Sequence, residues 1–138
     1  MFTLRVGSWW PREFTWSQDR LELFGFEPRE GGACFEVGPY GFRCDWGRVL
    51  TWRPPHELRL SWQIAPDRVP QPDPAKASEV RVRIEPDEPD EPHGSRVFVE
   101  HAEFERHGPG ADEYRAGMER GWAYLLDRYA AAARAGAA

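Results

Sequence analysis

The sequence predicts an α+β fold: a curved antiparallel sheet of about six strands wrapped around one long C-terminal helix, with a short N-terminal helix ahead of the sheet. Three observations predict it. Several short runs alternate apolar with polar residues, the period of strands with one wet face. Thirteen glycines and 13 prolines in 138 residues interrupt those runs as turns. After Gly110 the period changes, and Tyr114, Met118, Trp122, Leu125 and Tyr129 follow at steps of four, four, three and four, one face of a helix. A sheet with one apolar face must cover it, and this helix is the only element large enough, so the sheet curls around the helix.

The elements follow in order. Phe2, Leu4, Val6, Trp9 and Trp10 form a helix remnant that Pro11 ends. Asp19 to Pro28 holds a strand, with Arg29-Glu30-Gly31-Gly32 as its turn. Ala33 to Val37 and Phe42 to Trp52 flank Gly38-Pro39-Tyr40-Gly41 and read as a hairpin carrying Cys34 and Cys44 on its two arms. Pro54-Pro55 forces a turn before the strand Glu57 to Ile64, in which Leu58, Leu60, Trp62 and Ile64 alternate with polar residues. Ala65 to Ala77, with four prolines and no period, is a loop placed to border a ligand entrance. Val80, Val82 and Ile84 face Val97 and Val99 across a second hairpin, whose acidic tip Pro86 to Gly94 reads as a solvated loop. The helix runs from Asp112 to Ala132, roughly 30 Å, long enough to cross the sheet. Gly117 and Gly121 weaken it by about 1 kcal/mol each and are expected to permit close packing or a kink. Ala130 to Ala138 is expected to fray.

Length implies one domain, 1–138. A net charge of −5 with 7 Trp and 4 Tyr favours a folded chain over disorder. Mild acidity without a basic run excludes a nucleic-acid binder. Two cysteines do not make a disulfide framework and are expected as free thiols. The N-terminus lacks a basic region followed by an apolar run, and no stretch reaches the roughly 18 apolar residues of a membrane span, so a cytoplasmic protein without membrane contact is expected.

The densest ionisable cluster is His101, Glu103, Glu105 and His107. His101 and Glu103 would share a strand face, but metal-ligand spacings are absent and no metal is expected. Parity places His101 with Val97 and Val99. If those valines face a cavity, His101 does too, as a hydrogen-bond donor to a ligand or an acid or base; otherwise a neighbour satisfies it. Glu36 and Asp45 are the other carboxylates near the expected cavity walls, their facing open. No Ser-His-Asp order or phosphate-cradling glycine loop occurs, Gly31-Gly32 being a turn, so neither catalytic residues nor a cofactor are expected. Tryptophans fill cores and also line pockets for flat apolar ligands. The candidate pocket residues are Trp10, Trp46, Trp52 and Trp62 with Leu60, Val82, Val99 and His101 on the sheet side, and Tyr114, Met118, Trp122 and Leu125 on the helix.

The succession Gly7-Ser8-Trp9-Trp10-Pro11, Glu27-Pro28-Arg29, Asp45-Trp46-Gly47-Arg48-Val49, Trp52-Arg53-Pro54-Pro55 and Phe104-Glu105-Arg106-His107-Gly108 resembles the SRPBCC superfamily. More closely, it resembles the bacterial START-like proteins related to the activator of heat-shock protein 90 ATPase. The resemblance implies a helix-grip fold with a hydrophobic cavity between sheet and helix. It also implies a first strand ahead of the Trp9-Trp10-Pro11 segment that is missing from this sequence: either the true start lies upstream, or the edge from Arg96 to Phe104 is covered by a second copy or by residues 1 to 8, or is left bare and open to self-association. The function it implies is noncatalytic binding of a small hydrophobic or aromatic molecule. The alternatives are a co-chaperone-like interaction module and a cyclase-like enzyme using the same cavity.

Overall fold

The computed structural model describes residues 2, 5–88 and 91–137, with the side chains of 86–88, 91–94 and 136–137 outside that description. The tip expected as a solvated loop from Pro86 to Gly94 is instead mostly strand, Pro86 pairing with Ser95 and Glu88 with Glu91, while 89–90 lie outside the described residues. Six strands, β1 (Leu23–Phe26), β2 (Ala33–Val37), β3 (Arg43–Arg53), β4 (Glu57–Trp62), β5 (Ser78–Glu88) and β6 (Glu91–Ala102), form one antiparallel meander in sequence order. It curls around α1 (Ala111–Ala137). β1 and β6 are its edges.

The N-terminal helix is reduced to three single 3-10 turns, Val6–Ser8, Arg12–Phe14 and Gln18–Arg20. The last of these occupies the start of the expected first strand, which is confined to Leu23–Phe26. Pro11 and the short apolar run leave too few consecutive turns to nucleate an α-helix. This segment is tied to α1 instead. Arg128 Nε donates to the Trp9 carbonyl at 3.1 Å, and Trp9 meets Tyr129 edge-on at 5.3 Å.

Gly108 and Gly110, at φ 78° and 87°, take backbone conformations costly for other residues and aim the chain into α1. Asp112 and Glu113 then complement the positive end of the helix. Tyr114, Trp122 and Leu125 turn to the sheet and are buried. The alanine run continues the helix through Ala137 rather than ending it, in keeping with alanine's propensity.

Strand parity fails in β3, where the pairing shifts twice. Cys34 faces Gly47 and Phe35 faces Asp45, so Trp46 is an extra residue, and Val49 faces Leu60 while Thr51 faces Arg59, so Leu50 is another. Leu50 is consequently exposed while Val49 and Trp46 are buried. A Cβ on Gly47 would sit 2.4 Å from the Ser61 carbonyl oxygen, so only glycine permits this approach of β3 to β4. In β5 and β6 parity holds: Val80, Val82 and Ile84 pair with His101, Val99 and Val97 on the concave face. On the other face the buried Glu79 receives Arg59 and Arg81.

Candidate functional site

Between α1 and the β1–β4 half of the sheet lies a cleft of about 470 Å³, roofed by residues 10–18. Aromatic rings form its inner wall. Phe24 and Trp46 lie nearly parallel, 11° apart with centroids at 5.4 Å, and Trp10 stacks on Phe24 at 5.1 Å. Trp62 meets Trp46 edge-on at 5.3 Å. The Trp10 and Trp46 indole N–H groups are buried without an acceptor among the described residues. That of Trp62 donates to the Tyr114 hydroxyl at 2.7 Å, which in turn donates to the Ile64 carbonyl at 2.8 Å. Burial raises the Tyr114 phenol above its ordinary value.

The helix wall comprises Tyr114, Gly117, Met118, Gly121 and Leu125. A Cβ built on Gly117 or Gly121 would meet nothing within 4 Å. The close packing expected of these glycines is therefore not what they provide; they leave open space where the cleft is.

Residues 13–18 and Arg68 make the mouth. Phe14 and Trp16 are exposed there, and Trp16 Nε1 donates to the Arg68 carbonyl at 2.9 Å, joining the N-terminal segment to the β4–β5 loop. Glu36, fully buried on β2, holds this segment down: it accepts from Trp16 N at 3.2 Å, Ser17 N at 2.7 Å and Ser17 Oγ at 2.6 Å. Asp45 points the other way, paired with Arg43 at 2.9 Å. The two carboxylates do not form an acid/base pair.

Of the residues singled out from the sequence, Trp10, Trp46, Trp62, Tyr114, Met118 and Leu125 line this cleft. Trp52, Leu60, Val82, Val99, His101 and Trp122 are not among its walls. Leu60, Val82 and Trp122 are buried core residues, with Trp52 and Val99 half-buried against them. The β4–β6 half of the grip is filled by rings, Trp62 lying 6.1 Å from Trp122 and 5.4 Å from His101. Phe24, the residues of the mouth and the two helix glycines escaped sequence reasoning. Residues 11–18 carry no period, and only the prolines of 65–77 signalled a bordering loop.

His101 is engaged at both ring nitrogens. Trp122 Nε1, a donor only, gives its hydrogen to Nδ1 at 3.0 Å, so Nε2 bears the proton and faces Ser78 Oγ at 2.7 Å. Ser78 Oγ also lies 2.7 Å from His107 Nε2, extending the chain. Glu103 does not join it, because β6 ends at Ala102 and the left-handed Glu103, φ 63°, turns its carboxylate to Arg81 and Arg106. Burial first, and His107 second, pull His101 down to about 3 from its ordinary 6.5. Between those values the unfolded chain binds a proton that the folded one refuses, so stability falls as pH drops from 6.5 toward 3. His101→Gln keeps an acceptor for Trp122 and removes this titration. Its melting temperature is expected to fall less steeply than wild type over that window, and equal slopes would mean that folded His101 carries charge.

Both thiols are free and buried; desolvation pushes Cys44 up to about 11 and Cys34 further, leaving neither reactive at neutral pH. The Tyr114 hydroxyl is occupied by Trp62 and Ile64, and His101 stands outside the walls, so the inner wall is made of aromatic rings. No helix among the described residues is long and apolar enough to cross a membrane.

Comparison with known proteins places this geometry. The family model for the Activator of Hsp90 ATPase homolog 1-like protein matches residues 4–134. Among solved structures, the chain is similar to the anthrahydroquino-gamma-pyrone synthase Txn09 complexed with SUM, at 34% identity and a TM-score of 0.55, covering 83% of this chain and 72% of that one. It is also similar in fold to protein MLL2253 from Mesorhizobium loti, at 23% identity and a TM-score of 0.51, covering 74% of this chain and 67% of that one. No curated protein matches it.

Proposed function

Because the chain belongs to the Activator of Hsp90 ATPase homolog 1-like family, an SRPBCC-type family of helix-grip domains, we propose that it holds a flat aromatic molecule in the cleft between sheet and helix, without transforming it. The observation that carries this reading is the near-parallel set of Trp10, Phe24 and Trp46 rings facing a helix wall opened by Gly117 and Gly121. Offset stacking on such rings adds about 0.5–1.5 kcal/mol per pair beyond area burial, and the glycines leave room for the ligand's far face. A second reading, ring closure on a substrate held in the same place, is favoured by the 34% identity to a synthase. Positioning alone lowers a barrier substantially when the reacting atoms are held in line. The engaged Tyr114 hydroxyl, and the position of His101 outside the cleft walls, favour binding over catalysis.

Titration with 1,8-dihydroxyanthraquinone tests the reading. Saturable quenching of the tryptophan fluorescence and a rise in melting temperature are expected, the stabilisation reaching about 2.7 kcal/mol at a hundredfold excess over Kd. Absence of both effects across a panel of two- to four-ring aromatics would remove the cleft as a binding site. Consumption of a linear precursor by wild type would favour the synthase reading.

A further inference from the structure

We propose that the ligand is an aromatic anion, a carboxylate in the simplest case, whose ring system lies against Trp10, Phe24 and Trp46 while its negative group meets the Arg68 guanidinium at the mouth. This rests on the aromatic-binding reading and names the ligand's chemistry. The cleft lining contains two charged side chains, Glu13 and Arg68. Glu13 is turned toward Tyr124, whose hydroxyl lies 3.4 Å from Oε1. Among the described residues, the Arg68 guanidinium has no ion pair. The adjacent carboxylate, Asp67, accepts instead from Val69 N at 3.1 Å. Arg59, Arg81 and Arg83 are committed to carboxylates, and Arg12 and Arg128 to backbone carbonyls.

The backbone beneath Arg68 is held in place. Its N–H donates to the Ala65 carbonyl at 2.8 Å, its carbonyl accepts from Trp16 Nε1, and Ala65 N donates to Val69 O at 2.9 Å, closing a tight loop. Arg68 sits at φ 69°, a region that favours glycine or asparagine, so this position carries a long cationic side chain where the backbone alone would select a small one. Its charge also reaches the cleft interior, where it opposes the burial that raises Tyr114. In a protein of net charge −5, an anionic ligand needs a local cation, and a guanidinium fork matches a carboxylate bidentately.

The experiment compares anthraquinone-2-carboxylate with anthraquinone-2-carboxamide, two probes of one shape, in wild type, Arg68→Gln and Arg68→Lys. The carboxylate is expected to bind wild type about tenfold tighter than the carboxamide. That advantage should shrink near 1 M salt, where the screening length falls to about 3 Å. It should vanish in Arg68→Gln and return in part in Arg68→Lys, the ratio of carboxylate to carboxamide affinity within each protein being the readout. Equal wild-type affinity for the two probes would overturn the anion proposal and leave the aromatic cleft standing. Failure of both probes to bind would overturn the cleft reading and this proposal with it. A parallel loss of both affinities in Arg68→Gln would assign Arg68 to holding the mouth rather than to reading charge, and would also overturn it.

Discussion

Glu36→Ala is expected to lose about 4 kcal/mol of stability and to lower the melting temperature by on the order of 15 °C. Glu36 is 0% exposed and accepts three hydrogen bonds, two from backbone N–H groups at Trp16 and Ser17 and one from the Ser17 hydroxyl. Bonds to a charged acceptor contribute about 1.5–3 kcal/mol each, and their removal together is less than additive. Alanine provides no acceptor, leaving both backbone donors without a partner in a closed environment. Glu36→Gln should lose roughly half as much, since one amide oxygen replaces one carboxylate oxygen while the amide nitrogen confronts a donor. Binding of 1,8-dihydroxyanthraquinone should weaken with it, because the segment released is the mouth of the cleft, with Trp16 and its bond to Arg68. Urea titration of the three proteins reads the stabilities. A cost below about 1 kcal/mol for Glu36→Ala would show that the segment is held by its apolar contacts alone.

The double substitution Gly117→Ala, Gly121→Ala is expected to move stability and binding in opposite directions. Alanine in a helix interior is favoured over glycine by about 1 kcal/mol per residue, and the space around both positions imposes no steric cost. The variant should therefore gain about 2 kcal/mol, raising the melting temperature by roughly 6–8 °C. The added methyl groups project into the cleft and should weaken binding of 1,8-dihydroxyanthraquinone; Gly121→Leu should abolish it. A stabilised protein with undiminished affinity would show that the ligand lies elsewhere. A destabilised one would show that the glycines serve close packing after all. The helix thus carries two residues that are locally unfavourable, and both border the cleft.

Much of the wall is legible in the sequence. Tyr114, Met118 and Leu125 fall on one helical stripe, and Trp62 lies on the inward parity of a strand whose alternation is unbroken. Trp46 also faces inward, but for a reason parity does not contain: two extra residues in β3 shift its pairing with both neighbours, burying Val49 and exposing Leu50. His101 shows the limit most plainly. Its face followed from alternation with Val97 and Val99, whereas its partners, Trp122 and Ser78, come from 21 and 23 positions away along the chain. Glu36 is similar, a buried carboxylate whose role depends on a segment about 20 positions earlier.

By itself the sequence determined the α+β class, the number of strands and the long amphipathic helix, because each rests on spacing within a few consecutive residues, while the resemblance to helix-grip domains rests on the succession of short motifs from Gly7 to Gly108. The tertiary structure alone decided which half of the grip is filled and which is open, that residues 10–18 roof the cleft, that Gly117 and Gly121 face empty space, and that His101 is tied to Trp122. Those outcomes depend on how side chains of different sizes meet across elements far apart in the chain, and periodicity carries a residue's face but not the volume opposite it.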